Sequence, residues 1–187
     1  MQRNADELTS MGLTMRDQGR IREAIDLYDQ ALTMNPRHSF ALINKGAALL
    51  HLQRYSDAIE CLDRALVLSP GIADAWNNKG VALANQGRLN EALACCEKAL
   101  AMNANYPEAW HNKAGILGQF GQFKEAIECC DRAIKYKPHY AAAWFNKGVA
   151  LYQLQRYPDA RKALKEAARL GDSQALNALA TLEAEGG

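Results

Sequence analysis

Thiols and amides are the side chains here with the most chemical reach. The cysteines are Cys61, Cys95, Cys96, Cys129 and Cys130. Thiolates bind zinc and exchange disulfides, but the spacing argues against both. None of the five forms a C-x-x-C pair. Neighbours such as Cys95 and Cys96 diverge by about 100° on a helix, so they cannot readily clamp one metal. A zinc site needs four converging ligands, and His38, His51, His111 and His139 are scattered. Small apolar residues in a repeated slot is the plainer reading of the thiols. Redox-sensitive association through Cys61, Cys95 and Cys129 is the other. No nucleophile and base, paired carboxylates or phosphate loop stands out. Gly115, Gly118 and Gly121 have no strand before them, so they are not a phosphate loop; they read as residues that loosen a helix. The sequence therefore predicts no catalytic residue, no metal and no cofactor. The amides are different. Asn44, Asn78, Asn112 and Asn146 recur at one spacing, with Ser10 ahead of them in phase. Each asparagine carries a donor and an acceptor, so a row of them can hold peptide units by N–H and C=O together.

The same spacing governs the whole chain. Pro36, Pro70 and Pro138 mark its phase, with Ala104 and Asp172 where further prolines would fall. Five repeats result, at 5–38, 39–72, 73–106, 107–140 and 141–174. Position 4 is Leu8, Leu42, Trp76, Trp110 and Trp144. Position 8 is Gly12, Gly46, Gly80, Ala114 and Gly148. Position 20 is Ala24, Ala58, Ala92, Ala126 and Ala160, and position 27 is Ala31, Ala65, Ala99, Ala133 and Ala167. Position 24 is Tyr28, Leu62, Cys96, Cys130 and Leu164. Each repeat reads as two helices joined by turns such as Asp17–Arg20 and Asn85–Arg88. Small residues let the two backbones approach, and large ones fill the space beside them. One such pair cannot bury its apolar faces, so neighbours must stack.

In period and in this large–small–large pattern the chain resembles the tetratricopeptide repeat family. The segment Lys165–Ala180 also resembles a Sel1-like repeat. The resemblance implies an all-α, right-handed α-solenoid of helix-turn-helix units, one domain over residues 1–187, with a capping helix at about 173–184. Asp172 and Ser173 suit the start of that helix, and Ala175, Leu176, Leu179 and Ala180 share a side of it. The final Gly186 and Gly187 read equally as a natural tail or as an artificial edge of the chain.

Helical geometry sorts the first helix of each repeat into faces. Positions 4, 8 and 11 face the repeat's own second helix. Positions 3, 7, 10 and 14 face the preceding repeat. There the later repeats carry Ala41, Ala75, Ala109 and Ala143 against Glu7 in the first. Positions 2, 5, 6, 9, 12 and 13 form a third face, which by resemblance to the family lines a concave groove. Position 7 is Lys45, Lys79, Lys113 and Lys147 in repeats two to five, and position 25 is Asp29, Asp63, Glu97 and Asp131 in repeats one to four. The lysine is missing where no repeat precedes and the acid where none follows. That complementarity predicts pairs across each junction; the alternative is lysines that snorkel to solvent.

The expected function is a protein–protein interaction scaffold that binds a peptide segment of a partner in the groove. The asparagine row resembles the ladder of the O-linked N-acetylglucosamine transferase repeat domain, which holds extended peptides by their backbones; the amides could instead bond only within the scaffold. The candidate groove residues are Asn44, Asn78, Asn112, Asn146, Asn77, Asn85, Asp74, Glu108, Phe145 and Tyr152. The lysine- and arginine-rich clamp of chaperone adaptors is absent, since Asp74, Asn78, Glu108 and Asn112 occupy its places. A self-associating structural module is one alternative. RNA binding is another, and it calls for a basic, aromatic-interleaved surface. A formal net charge of +1 and a pI near 7.6 give no bulk attraction to nucleic acid or to anionic membranes. The start of the chain has no apolar core of a secretory signal, and no apolar stretch is long enough to span a bilayer. A cytoplasmic location is expected.

Overall fold

Eleven helices and no strand make up the described residues, 4–185, of the computed structural model. Met1–Arg3 and the Gly186-Gly187 tail lie outside them. The helices fall into two compact units, the first ending at Met102 and the second beginning at Asn103. The first holds α1 (Ala5–Asp17), α2 (Ile21–Met34), α3 (Ser39–His51), α4 (Tyr55–Leu68), α5 (Ala73–Asn85) and α6 (Leu89–Met102). The second holds α7 (Pro107–Gln119), α8 (Phe123–Tyr136), α9 (Ala141–Gln153), α10 (Tyr157–Arg169) and α11 (Ser173–Glu185). No described helix is long and apolar enough to cross a membrane.

Within each unit the helices pack as antiparallel pairs, and each pair stacks on the next. The pairs close on position 24 of the repeat. Tyr28, Leu62, Cys96, Cys130 and Leu164 are all buried there. Opposite them, a Cβ on Gly46 or Gly148 would lie 2.7 Å from Leu62 or Leu164, and one on Gly12 would lie 2.4 Å from the Tyr28 ring. Where position 24 is the smaller cysteine, the constraint relaxes. A Cβ on Gly80 would meet nothing closer than 3.3 Å, and the fourth repeat carries Ala114 opposite Cys130. The alanine that breaks the glycine pattern is thus matched by a smaller partner.

The turns are also repeated. Each first helix ends on a left-handed residue at position 15: Gly19, Gly87 and Gly121, but Gln53 and Gln155 in the second and fifth repeats, at φ 56° and 58°. The next N–H reaches back five residues, as from Arg20 to Met15 O at 2.9 Å, which closes a Schellman motif. The glutamines bear a backbone strain that the glycines avoid. Second helices then open with an arginine–acid pair three residues apart: Arg20 with Glu23, Arg54 with Asp57, Arg88 with Glu91 and Arg156 with Asp159.

Tryptophan at position 4 is half-buried. Its Nε1–H donates to the carbonyl of position 32 just before the helix: Trp76 to Pro70, Trp110 to Ala104 and Trp144 to Pro138, each at 2.9 Å. Only the carbonyl is used, so Ala104 serves where proline is missing. Junction ion pairs are present within both units, with Lys45 2.5 Å from Asp29, Lys79 2.5 Å from Asp63 and Lys147 2.6 Å from Asp131.

Caps mark the first and last described helices. Asn4 and Glu7 form a capping box on α1, and Asp172 Oδ1 accepts the Ala175 N–H at 3.1 Å on α11. Ala175, Ala178 and Leu179 of α11 pack against Leu164 and Ala167. Leu176, expected on that face, is 60% exposed, and Ala180 is exposed as well. The buried stripe instead runs 175, 178, 179, 182, and Leu176 lies about 100° away from Ala175.

Candidate functional site

Position 5 departs from the expected groove face. Thr9, Ile43 and Asn77 are buried there. Phe145 is half-buried and packs toward Leu164, Ala167 and Ala175. This position lies about 100° from position 4, at the edge of the face where the next helix pair packs. Asn77, at 5% exposure, and Phe145 are therefore scaffold residues first. Tyr152, at position 12 on the same edge, is half-buried with its ring 5.6 Å from that of Tyr157.

In the first unit the amide row begins with an asparagine that the scaffold consumes. Asn44 is 6% exposed. Its Nδ2 donates to Phe40 O at 2.8 Å, and its Oδ1 accepts from the Arg16 guanidinium at 3.1 Å. The amide that was expected to meet a ligand is satisfied on both sides. Asn78, one repeat on, is half-buried and makes no hydrogen bond among the described residues. Asn85 donates to Val81 O at 2.9 Å, which leaves its exposed oxygen open. Asp74 is exposed at the first turn of α5.

In the second unit α7 and α9 bring a polar cluster together. Asn146 Nδ2 lies 3.3 Å from His111 Nδ1, and the His111 ring lies 5.0 Å from that of Tyr140, tilted by 46°. The amide donates, so Nδ1 accepts and the imidazole is neutral. Burial pushes the His111 pKa down, which agrees with that assignment, and raises Tyr140 to about 12. Burial pushes the Glu108 carboxyl up, but the hydrogen bond from Lys137 Nζ at 2.8 Å, a backbone hydrogen bond and the neighbouring positive charge together hold it below the usual range. Asn112 is half-buried on α7.

Beside this cluster a cavity of about 370 Å³ opens between α7 and α9 over α8. Ala114, Gly115, Gly118 and Gln119 form one wall and Asn146, Val149, Ala150 and Gln153 the other, above Phe123 and Ala126. The amides of Gln119 and Gln153 make no hydrogen bond among the described residues. Sequence reasoning took Gly115 and Gly118 as loosening a helix and missed the cavity. The available signal was their placement at positions 9 and 12, both on the expected groove face. The thiols offer no chemistry to compete with it. All five are buried, and burial raises Cys61 and Cys95 and pushes Cys129 to about 11 and Cys130 to about 12. A buried, protonated thiol is a poor nucleophile and metal ligand.

Sequence profiles described as tetratricopeptide repeat match residues 10–71 and 112–185, and two further profiles of that description match 73–106 and 95–128. The chain belongs to the tetratricopeptide repeat family. No curated protein sequence matches it. Among solved structures, this tetratricopeptide chain is similar to MamA, at 26% identity over 88% of this chain and 96% of that one, with a TM-score of 0.73. It is also similar to YrrB, described as a TPR protein with an unusual peptide-binding site, at 22% identity over 94% and 91% of the two chains and a TM-score of 0.70. A chain of the APC/C hetero-tetramer Cut9-Hcn1 superposes with a TM-score of 0.90 at 21% identity, over 97% of this chain and 37% of its own. The fold class is thus the all-α tetratricopeptide solenoid.

Proposed function

We propose that this protein-interaction scaffold takes up an extended segment of a protein partner along the faces of its first helices, holding the main chain with side-chain amides. The observation that carries the reading is the cavity between α7 and α9. Asn146, Gln119 and Gln153 line it, and the two glutamines have no partner within the described residues. An unpaired amide beside an apolar floor suits a peptide unit with its side chain turned inward. Family membership supports the same reading. Within the second unit Asn146 then joins Gln119 and Gln153 in holding the segment, and in the first unit Asn78 offers an amide of its own, while Asn44 and Asn77 serve the scaffold. Asn85 of the first unit offers an open oxygen. Exposed Asp74 favours basic partner segments, and Glu108 does so less because Lys137 already pairs with it. In this reading the five repeats serve as one interaction domain. The work assigned to these side chains is binding, and no reaction is proposed for them.

The test is a titration of peptides selected from a random display library, run against the wild type and a Gln119→Ala/Gln153→Ala variant. Two hydrogen bonds of ~0.5–1.5 kcal/mol each predict a loss of about 1–3 kcal/mol. The melting temperature should stay unchanged. Unchanged affinity would remove the amides from the site, and a lowered melt beside it would place them in the scaffold.

A further inference from the structure

Two glycines in the wall of that cavity are not explained by the fold. Neither Gly115 nor Gly118 has a left-handed backbone. A Cβ on Gly118 would meet no atom within 4 Å, and one on Gly115 would meet only Asn146 Nδ2, at 3.7 Å. Gly46 and Gly148 are different, because there a Cβ collides with a core leucine. Glycine is the least favourable helix-interior residue after proline, so the pair weakens α7 and relieves no contact. What the two glycines do is keep the cavity open and bare one face of α7 to close approach by another backbone.

The lining is uncharged. Ala114, Phe123, Ala126, Val149 and Ala150 give it an apolar floor and wall, and amides form the rim. Three other cavities are lined by ions. One holds Asp131, Lys147, Arg156, Asp159 and Lys162, another Glu128, Asp131, Arg132 and Lys135, and a third Arg22, Asp26 and Arg54. An unpaired charge entering the neutral cavity would lose its water and find no counter-ion. At about 370 Å³ it sits at the small end of ligand pockets, ~300–1,000 Å³. That is room for one side chain and its flanking peptide units.

We infer that the cavity between α7 and α9 is a socket for an uncharged apolar side chain of leucine or methionine size on the bound segment, with Gln119 and Gln153 holding the adjacent peptide units. This rests on the peptide-binding reading above and adds its selectivity: a neutral apolar anchor in the fourth repeat.

Nitrogen-15 spectra of the whole chain would follow the Gly115 and Gly118 amides as capped amino acids are added: N-acetyl-leucine methylamide, its aspartate counterpart and its lysine counterpart. The leucine probe should shift both signals saturably, and the charged probes should bind at least about tenfold more weakly. Gly118→Leu fills the socket and should abolish the shifts. Gly118→Ala, whose added carbon meets no atom, keeps the fold and should weaken them, with a melt at or above that of the wild type. Equal shifts from all three probes, silence at these glycines, or shifts that survive in Gly118→Leu would overturn the socket. Either of two results separates this from the broader reading. Selected peptides that still bind while the leucine probe does not would remove the socket and leave the groove. Loss of all peptide binding by the wild type would remove the groove and the socket with it.

Discussion

At the level of single side chains, burial decides what the thiols and amides can do. Cys129 and Cys130 are pushed to about 11 and about 12 by desolvation, from an ordinary value near ~8.5. The folded state therefore keeps its protons where the unfolded chain has begun to lose them. The sign follows from linkage: this contribution to stability is complete below the unfolded thiol pKa and is lost as pH rises through the folded values. Tyr140, raised to about 12, acts in the same direction. Melting temperature should fall steadily from about pH 9 upward, and a flat melting temperature over that range would refute it. The amides show what sequence hides. Asn44 and Asn78 occupy one repeat position, yet Asn44 is committed because Arg16 happens to stand at position 12 of the first repeat. Equivalent positions announce equivalent directions, but a neighbour outside the pattern decides whether the group is free.

At the level of helices, packing in each pair is a matter of matched volumes. Gly46→Ala and Gly148→Ala push a carbon to 2.7 Å from Leu62 and Leu164. Overpacking of this kind costs ~1–3 kcal/mol, which exceeds the ~1 kcal/mol gain in helix propensity for the tighter cases. Gly80→Ala faces Cys95 and Cys96 instead, with nothing nearer than 3.3 Å, so it should be close to neutral. Urea midpoints of the three variants decide the matter, and equal losses would show that the smaller partner is irrelevant. Helix identity and turn placement were legible in the sequence, because alanine spacing, the glycine turns and proline phase all mark local backbone choices. The direction of position 5 was not. It lies on the border between two faces, and only the stacking of the next pair or helix in the same unit turns Ile43 and Phe145 inward. The cavity was hidden for a related reason: an empty volume is defined by what surrounds it, and no single residue encodes it.

Across the whole molecule, charge works in register and not in bulk. Net charge is +1, yet Lys45, Lys79 and Lys147 each find the acid of the preceding repeat. These pairs were readable from sequence because the lysine recurs at position 7 of repeats two to five and the acid at position 25 of repeats one to four. Partly exposed pairs contribute ~0.2–1 kcal/mol each, and they share no partner, so their effects should add. Replacing all three lysines with methionine should cost about 0.6–3 kcal/mol, read as a lower urea midpoint at unchanged slope. An unchanged midpoint would leave the pairs without energetic weight, and a changed slope would mean that they hold the repeats in cooperative contact.

The tryptophans carry a consequence of another kind. Trp76, Trp110 and Trp144 each donate the indole proton to a carbonyl at 2.9 Å and lie beneath a cation, Lys98, Arg132 and Lys147, at 4.1, 4.9 and 5.4 Å from the ring centres. Three chromophores, one in each of three successive repeats, make the chain its own set of optical reporters. Emission from Trp76 and Trp110 is coupled to local events, since opening their helix pairs removes the cation on the paired helix, Lys98 on α6 and Arg132 on α8, while Trp144 keeps Lys147 of its own helix. Keeping one tryptophan at a time would let fluorescence follow each repeat separately, without any added dye.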